Sequence, residues 1–259
     1  MKNLTKMMLA AASLAGLLSV SLPAVAQDAP EFSLSGSLAM TNDYRFRGIS
    51  QSDRSFAPQG SLTLTGPDGW YIGAWTSTVD FDPTGSGNPY MELDLYGGKH
   101  TDLGGVDWHI MPIYYAYPAA KYAPGTADVD YFELINQLTY ATDFGVTAMG
   151  TYAFSPELSF GGGTGHYLAL NLAYPINDWL SISGNYGHVW AENAAAAGSS
   201  GYNHGDVGVT ASYQGFSLDL RYTVTDLTRS GCANFYMTTG NACAGGAVAT
   251  LSYTMALLP

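Results

Sequence analysis

Hydrophobic and polar residues alternate along most of the chain with a period of two. In residues 216–225, for example, every second residue is Phe, Leu, Tyr or Val, and the residues between them are Ser, Asp, Arg and Thr. Because successive side chains of a strand point to opposite faces, this period predicts strands with one apolar and one polar face. Twelve segments follow the pattern, at residues 32–47, 58–65, 70–79, 90–101, 106–117, 130–142, 146–155, 166–174, 180–190, 204–213, 216–225 and 247–257.

The connections between these segments alternate in length. Five are short, at residues 66–69, 102–105, 143–145, 175–179 and 214–215, and each lies between two longer ones. An even number of strands with this segregation is typical of bacterial outer-membrane barrels, which have short turns in the periplasm and long loops outside. The sequence therefore predicts an all-β fold, a closed antiparallel transmembrane β-barrel of about 12 strands.

The two faces of such strands meet different surroundings. The apolar face contacts lipid, and the opposite face, which is small and hydroxylated, predicts a narrow water-filled lumen. No remaining segment is long enough to predict a plug. Aromatic residues near the strand ends predict girdles at the membrane–water interfaces, and they are Tyr44, Trp70, Tyr71, Tyr114, Tyr115, Tyr117, Tyr174, Trp179 and Trp190.

The first 26 residues have the pattern of a secretory signal peptide. Lys2 and Lys6 flank the start of a short apolar stretch, and Ala24-Val25-Ala26 offers a signal-peptidase site. The stretch is shorter than the roughly 20 residues that span a bilayer as a helix. Cleavage removes two of nine basic residues and none of 21 acidic ones, so the mature chain carries a net charge of −14. We expect one barrel domain over residues 27–259, in the outer membrane of a Gram-negative bacterium, and no nucleic-acid partner.

The two cysteines, Cys232 and Cys243, lie in one segment rich in Gly, Asn and Thr. Export to an oxidising compartment predicts that they form a disulfide. No His or further Cys lies near them in sequence to complete a zinc site. The acidic pairs Asp80/Asp82 and Asp128/Asp130 fit either solvated loops or loose binding of divalent cations, and we predict no cofactor and no dedicated metal site.

Three stretches resemble one known family. They are residues 42–52 (NDYRFRGISQS), residues 69–75 (GWYIGAW) with Val79-Asp80-Phe81, and residues 92–98 (ELDLYGG). Over Asn42 to Tyr117 the chain resembles the TorF family of porin-like proteins, formerly grouped as proteins of unknown function. The resemblance implies an outer-membrane barrel with a channel role, and it implies no particular solute. The C-terminus departs from the usual aromatic ending, since Tyr253 is followed by Leu257, Leu258 and Pro259.

Parity along the strands predicts which charged residues line a pore. If the first strand continues through residue 47, Asp43, Arg45 and Arg47 face the lumen, while Tyr44 and Phe46 face outward. The same reasoning places three acids of the fourth and sixth strands at a similar depth, namely Glu92, Asp94 and Glu133. Opposed charges in a narrow section create a transverse field that filters ions. Alternatively, the two arginines form structural salt bridges that brace the inner wall.

Two further charged pairs are expected at lower levels of the same pore. Asp107 with His109 lies on the fifth predicted strand, and Asp219 with Arg221 lies on the eleventh. The four outer acids and two arginines leave an excess of two negative charges, which predicts a modest preference for cations.

Catalysis is a further possibility for outer-membrane barrels. A lipid hydrolase requires a Ser beside a His on the lipid-facing wall, with an Asn or Asp orienting the imidazole. His188 has outward parity, but Ser181 and Ser183 have the opposite parity. We therefore predict no catalytic residues and no enzymatic activity.

The sequence thus predicts a porin-like channel for passive diffusion of small hydrophilic solutes or ions. Its expected partners are outer-membrane lipid, these solutes and the barrel-assembly machinery. The alternative is a structural or adhesive barrel with a closed lumen, whose long loops bind an external partner. Discrete conductance steps in planar bilayers would distinguish the two.

Overall fold

The computed structural model describes residues 32–81, 89–118, 120, 129–193, 201–236 and 241–258. The expected signal peptide and the acidic residues Asp82 and Asp128 lie outside these ranges. The strands are, in chain order, β1 (Ser33–Thr41), β2 (Arg45–Phe46), β3 (Ile49–Ser50), β4 (Ala57–Thr65), β5 (Trp70–Thr78), β6 (Met91–Asp102), β7 (Val106–Ala116), β8 (Tyr131–Ala141), β9 (Thr147–Ser155), β10 (Gly165–Pro175), β11 (Leu180–Ala191), β12 (Gly201–Tyr213), β13 (Phe216–Thr225) and β14 (Gly246–Leu258). Helix α1 spans Arg229–Tyr236, and two 3-10 turns span Pro67–Gly69 and Ser159–Gly161.

Twelve of these strands form one closed antiparallel barrel. Each pairs with its neighbours in the chain, and β1 closes the ring by pairing with both β4 and β14. Thr41 lies opposite Ala57 on one side and Thr250 on the other. Closure leaves no free sheet edge, because the backbone groups of every barrel strand pair on both sides. The predicted fold class is confirmed.

The predicted alternation of short and long connections is also confirmed. The five short connections join β4–β5, β6–β7, β8–β9, β10–β11 and β12–β13. In the last of these, Gln214 and Gly215 have φ angles of 48° and 84° and form a two-residue hairpin turn. Positive φ at both positions is the type I′ geometry that suits the twist of antiparallel strands. All five short connections lie at one end of the barrel, which we call the short-turn end.

The outer wall of the barrel is apolar. Leu38, Ile72 and Leu95 are between 51% and 63% exposed, and they occupy every-second positions whose neighbours face inward. A continuous exposed apolar surface of this kind requires a hydrophobic surrounding. In the described part of the chain, no helix is both long and apolar enough to cross a bilayer.

The predicted aromatic girdle is correct for only part of its members. Trp70, Tyr114, Tyr174, Trp179 and Trp190 are exposed on the outer wall. Tyr44, Tyr71, Tyr115 and Tyr117 are each less than 10% exposed and belong to the interior. Parity accounts for Tyr71, Tyr115 and Tyr117, because alternate aromatic residues at a strand end point to opposite faces, whereas Tyr44 lies beyond the end of β1.

Candidate functional site

The lumen contains a segment that the sequence assigned to the first strand. β1 ends at Thr41, and residues 43–52 turn into the barrel, where nearly all of them are buried. We call residues 43–52 the inward segment. The departure is fixed at Asn42, whose side chain accepts a hydrogen bond from the Ala249 N–H (2.7 Å) and donates to the Ala247 carbonyl (3.3 Å). The prediction of one strand through residue 47 is therefore wrong, as is the prediction that no segment fills the lumen.

A tight hairpin shapes the inward segment. β2 and β3 pair through Phe46 and Ile49, and Arg47 and Gly48 form the turn with φ angles of 48° and 84°. A side chain at position 48 would place its Cβ 2.8 Å from atoms of His204 and Thr225, so the close approach requires glycine. The left-handed conformation costs Arg47 about 1–2 kcal/mol.

The inward segment crosses the lumen to the opposite wall. The Tyr44 hydroxyl donates to Glu92 on β6 at 3.0 Å, and the Phe46 ring packs edge-on against Tyr115 on β7. Arg47 contacts Glu133 on β8 and Tyr167 on β10. Because Tyr44 and Phe46 are buried in these contacts, their predicted outward orientation is wrong.

Arg47 is held by an ion pair and by aromatic rings. Its guanidinium donates two hydrogen bonds to Glu133 at 2.9 and 2.7 Å, and its Cζ lies 4.0 Å from the centre of the Tyr167 ring. The Tyr115 hydroxyl donates to the same carboxylate at 3.2 Å. Such a bidentate buried pair fixes position as well as charge.

Arg45 forms the second ion pair, within the inward segment. Its Nη2 lies 2.7 Å from the Asp43 carboxylate, which also accepts a hydrogen bond from the Ser50 hydroxyl at 2.6 Å. Each of the two arginines is thus hydrogen-bonded directly to an acid. The geometry matches the alternative in which these residues brace the inner wall.

The connection between β13 and β14 contacts the inward segment and holds it in place. Cys232 and Cys243 form a disulfide, as predicted, and both are almost fully buried. Beside this bridge, the Ala242 carbonyl accepts hydrogen bonds from the Ser50 N–H (2.9 Å) and from Arg45 (3.1 Å). Arg45 also donates to the Ala244 carbonyl at 2.9 Å. The disulfide-bridged connection and the inward segment therefore form one packed unit.

Glu92 and Asp94 differ from Asp43 and Glu133 because, in the part of the chain that the structure describes, no arginine is paired with them. Glu92 is 2% exposed and Asp94 is 1% exposed, and both side chains point inward from β6. Glu92 accepts the hydrogen bond from Tyr44. Trp75, which lies opposite Asp94 in the β5–β6 ladder, packs against the Tyr44 ring at 5.3 Å.

A second polar cluster lies nearer the short-turn end. His109 contacts the Tyr71 hydroxyl at 2.5 Å and the Gln137 side-chain oxygen at 2.8 Å. Asp107 pairs with His100 at 2.8 Å rather than with His109, and the two imidazoles stack at 4.1 Å. His100 was missed in the sequence, although its parity with Glu92 and Asp94 places it in the lumen.

The third charged cluster centres on Arg221. Its guanidinium donates to Asp219 at 3.0 and 3.1 Å, to the Ser183 hydroxyl at 3.1 Å, and to Asp206. Asp206 was also missed, although it shares the parity of His204 on β12. One guanidinium between two carboxylates leaves this level of the lumen with a negative excess.

The lumen near the short-turn end is lined by hydroxyl groups. Ser37 and Ser61 are hydrogen-bonded at 2.7 Å, and Ser212 and Ser217 at 2.8 Å. Unlike the residues around the inward segment, these side chains retain partial or full exposure. The interior thus has a packed half, filled by the inward segment, and a hydroxyl-lined half toward the short-turn end, in which Thr63 and His109 are also buried.

His188 lies on the outer wall, as its parity predicts. Its Nδ1 is 2.8 Å from the Asn203 side-chain oxygen, and its ring packs beside Trp190. In the described ranges no serine hydroxyl is hydrogen-bonded to His188. The described contacts of His188 are therefore with an amide oxygen and an aromatic ring.

The Arg47–Glu133 pair gives a first testable prediction. Arg47→Gln leaves the Glu133 carboxylate buried without its partner, which costs roughly 3–5 kcal/mol. Adding Glu133→Gln is expected to restore part of that stability, since the uncompensated charge is removed. Urea unfolding of the barrel in lipid vesicles measures these two variants and Glu133→Gln alone, and single-variant losses that add up to the loss of the double variant would show that the pair carries no coupling.

Comparisons with known proteins agree with this architecture. The NanC porin superposes with a TM-score of 0.54 at 11% sequence identity, covering 87% of this chain and 100% of that chain. The KdgM porin, solved in complex with disordered oligogalacturonate, has a TM-score of 0.50 at 5% identity, covering 86% and 97% respectively. At such identities the likeness establishes the barrel fold alone.

Family assignment comes from the sequence itself. No curated protein matches the chain. The family described as "Bacterial protein of unknown function (Gcw_chp)" matches residues 25–252. That description does not include the TorF name. Since this match covers most of the sequence, the chain belongs to the Gcw_chp family of bacterial proteins.

Proposed function

We propose that this protein is an outer-membrane channel through which small hydrophilic solutes or ions diffuse passively. In this proposal residues 1–26 direct export and are removed, the short turns lie in the periplasm, and the long loops lie outside. Outer-membrane lipid and the barrel-assembly machinery are its expected partners. The TorF identity stays a prediction from the resemblance.

The observation that carries the proposal is the division of the lumen into two halves. Polar side chains line the hydroxyl-lined half, and the inward segment narrows the other half. A segment folded into a barrel lumen restricts the size of what passes and places chosen charges beside the path. The porin folds of NanC and KdgM are consistent with this use of the barrel.

The charges beside the path favour cations. Asp43 and Glu133 are neutralised by Arg45 and Arg47, which leaves Glu92 and Asp94 as the negative excess of the narrow half. Elsewhere in the lumen, Arg221 is paired with both Asp206 and Asp219, and this cluster has a further excess of one negative charge. Oligogalacturonate is itself an anionic chain, so this lumen does not suit the molecule bound in the KdgM complex.

Reversal potentials test the assigned charges. In a KCl gradient with EDTA present, Glu92→Gln with Asp94→Asn is expected to move the reversal potential toward zero. Arg221→Gln is expected to strengthen the cation preference, because Asp206 and Asp219 then lack a counter-charge. The preference should weaken as salt rises, since screening acts over about 10 Å at 0.1 M.

A control variant keeps this test specific. Asp68 lies in the exposed turn between β4 and β5, outside the lumen, so Asp68→Asn removes one charge without changing the path. Its reversal potential should equal that of the wild type. If the lumen variants behave like Asp68→Asn in correctly folded barrels, these residues do not line the conducting path.

One observation favours the second candidate function, a closed barrel whose loops bind an external partner. The inward segment and the disulfide-bridged connection bury the side chains around them almost completely. In that case the wild-type protein would give no conductance steps. We propose no catalytic role in either case.

A further inference from the structure

Glu92 and Asp94 are two buried acids, and in the described part of the chain neither forms an ion pair. They lie two residues apart on the inner face of β6 and are 2% and 1% exposed. The Tyr44 hydroxyl donates to Glu92 at 3.0 Å, but within the described ranges neither oxygen of Asp94 accepts a hydrogen bond from an N–H or O–H group. A buried carboxylate without such compensation is strongly unfavourable.

The two neighbouring arginines already have anionic partners. Arg45 is held by Asp43 and by backbone carbonyls of the last long connection, and Arg47 makes its bidentate pair with Glu133. Among the described residues, four buried acids of the packed half, Asp43, Glu92, Asp94 and Glu133, face two arginines, so Glu92 and Asp94 are left without a counter-charge.

We propose that Glu92 and Asp94 bind one divalent hard cation, of the Ca²⁺ or Mg²⁺ class. Two carboxylates match the charge of one such ion, both side chains point inward from β6, and the Tyr44 hydroxyl oxygen lies 3.0 Å from Glu92. Oxygen ligands are those that Ca²⁺ and Mg²⁺ prefer, and Mg²⁺ usually retains several waters. In the described part of the chain no third acid, His or Cys joins this pair, so hydroxyl groups and water complete the coordination.

The site has a structural consequence for the inward segment. Tyr44 links Glu92 to that segment, and its ring packs against Trp75 beside Asp94. An ion on the two carboxylates removes their mutual repulsion at the point where the inward segment contacts the wall. The bound ion thus stabilises the packed half of the lumen. It also amends the sequence-based expectation of no dedicated metal site.

Terbium luminescence tests the site without any conductance measurement. Tb³⁺ replaces Ca²⁺ on oxygen ligands, and Trp75 beside the site sensitises its emission. The folded full-length mature protein, refolded in detergent after EDTA treatment, should give saturable Tb³⁺ emission that excess Ca²⁺ displaces. Glu92→Gln with Asp94→Asn should lose most of that emission, whereas Asp219→Asn, which removes a lumen acid that is paired with Arg221, should retain it.

Two results would overturn the proposal. One is the absence of saturable emission from wild-type protein, which would indicate that a shared proton balances the two acids. The other is equal, Ca²⁺-insensitive emission from wild type and from the Glu92/Asp94 variant, which would indicate adventitious binding elsewhere. If that variant fails to fold, thermal stability of the wild type in Ca²⁺ against EDTA decides, because a bound ion must raise the unfolding temperature. Since neither readout uses ion flow, failure here leaves the channel proposal standing.

Discussion

Replacing residues 42–56 with an Asn-Gly turn is expected to raise single-channel conductance severalfold. Thr41 and Ala57 lie opposite each other in the β1–β4 ladder, so a two-residue turn joins them without a change of register. The barrel ladder stays complete, while the packed half of the lumen loses the segment that fills it. Single-channel recording in planar bilayers measures the change.

A matched deletion provides the control. Ser155 and Gly165 lie opposite each other in the β9–β10 ladder, so the same Asn-Gly turn replaces residues 156–164 at the same end of the barrel. That connection contacts Val129 and Asn193 at the rim. Its deletion should leave conductance within a narrow range of wild type. Equal conductance of both deletions and the wild type would mean that the inward segment does not limit the path.

Replacing Cys232 and Cys243 together with Ser is expected to make the channel fluctuate into more conductive states. Without the disulfide, the connection that presents the Ala242 and Ala244 carbonyls to Arg45 gains freedom, so the inward segment loses its clamp. With a sequence separation of 11 residues, the bridge contributes roughly 2–3 kcal/mol in the chain-entropy account. Barrel assembly should persist, because the strand ladder does not depend on this connection.

Arg45→Gln separates the clamp from the disulfide itself. This variant keeps the bridge but removes the guanidinium that donates to the two carbonyls. We expect similar fluctuations from it, and little further change when it is combined with the cysteine replacements. A steady wild-type trace from the cysteine variant, with both thiols absent and the barrel folded, would refute the clamp.

The barrel could be predicted from the sequence because its signals are local. Period-two alternation marks each strand, and Gly, Asp and Pro mark the short turns, so the boundaries of the later strands differ by at most three residues from the structure. The disulfide followed from two cysteines in one exported segment. Lumen-facing positions such as Glu133 and Arg221 followed from parity alone.

The inward segment could not be predicted in the same way. Tyr44, Arg45, Phe46 and Arg47 continue the alternation of β1, and nothing local distinguishes a strand from a hairpin folded into the lumen. The choice depends on partners far away in sequence, such as Glu92 and Glu133. The available signals were Asn42-Asp43, a pair that favours turns, and Gly48, which permits the left-handed turn.

Pairing between charges was equally beyond the sequence. Parity placed Asp107 and His109 in the lumen, but the register across β6 and β7 decides that Asp107 pairs with His100. Likewise, Arg47 reaches Glu133 only because the hairpin carries it across the barrel. Which acids stay unpaired, and hence where a cation binds, follows from this three-dimensional arrangement.

The most direct test of the channel proposal is the conductance of the wild-type protein in planar bilayers under a KCl gradient with EDTA. The purified, correctly folded barrel is expected to give small discrete steps, with a reversal potential displaced toward the K⁺ equilibrium potential. The deletion of residues 42–56 provides the open-lumen reference in the same bilayers. Steps from the deletion variant but none from the folded wild type would contradict the account and show that the native lumen is closed.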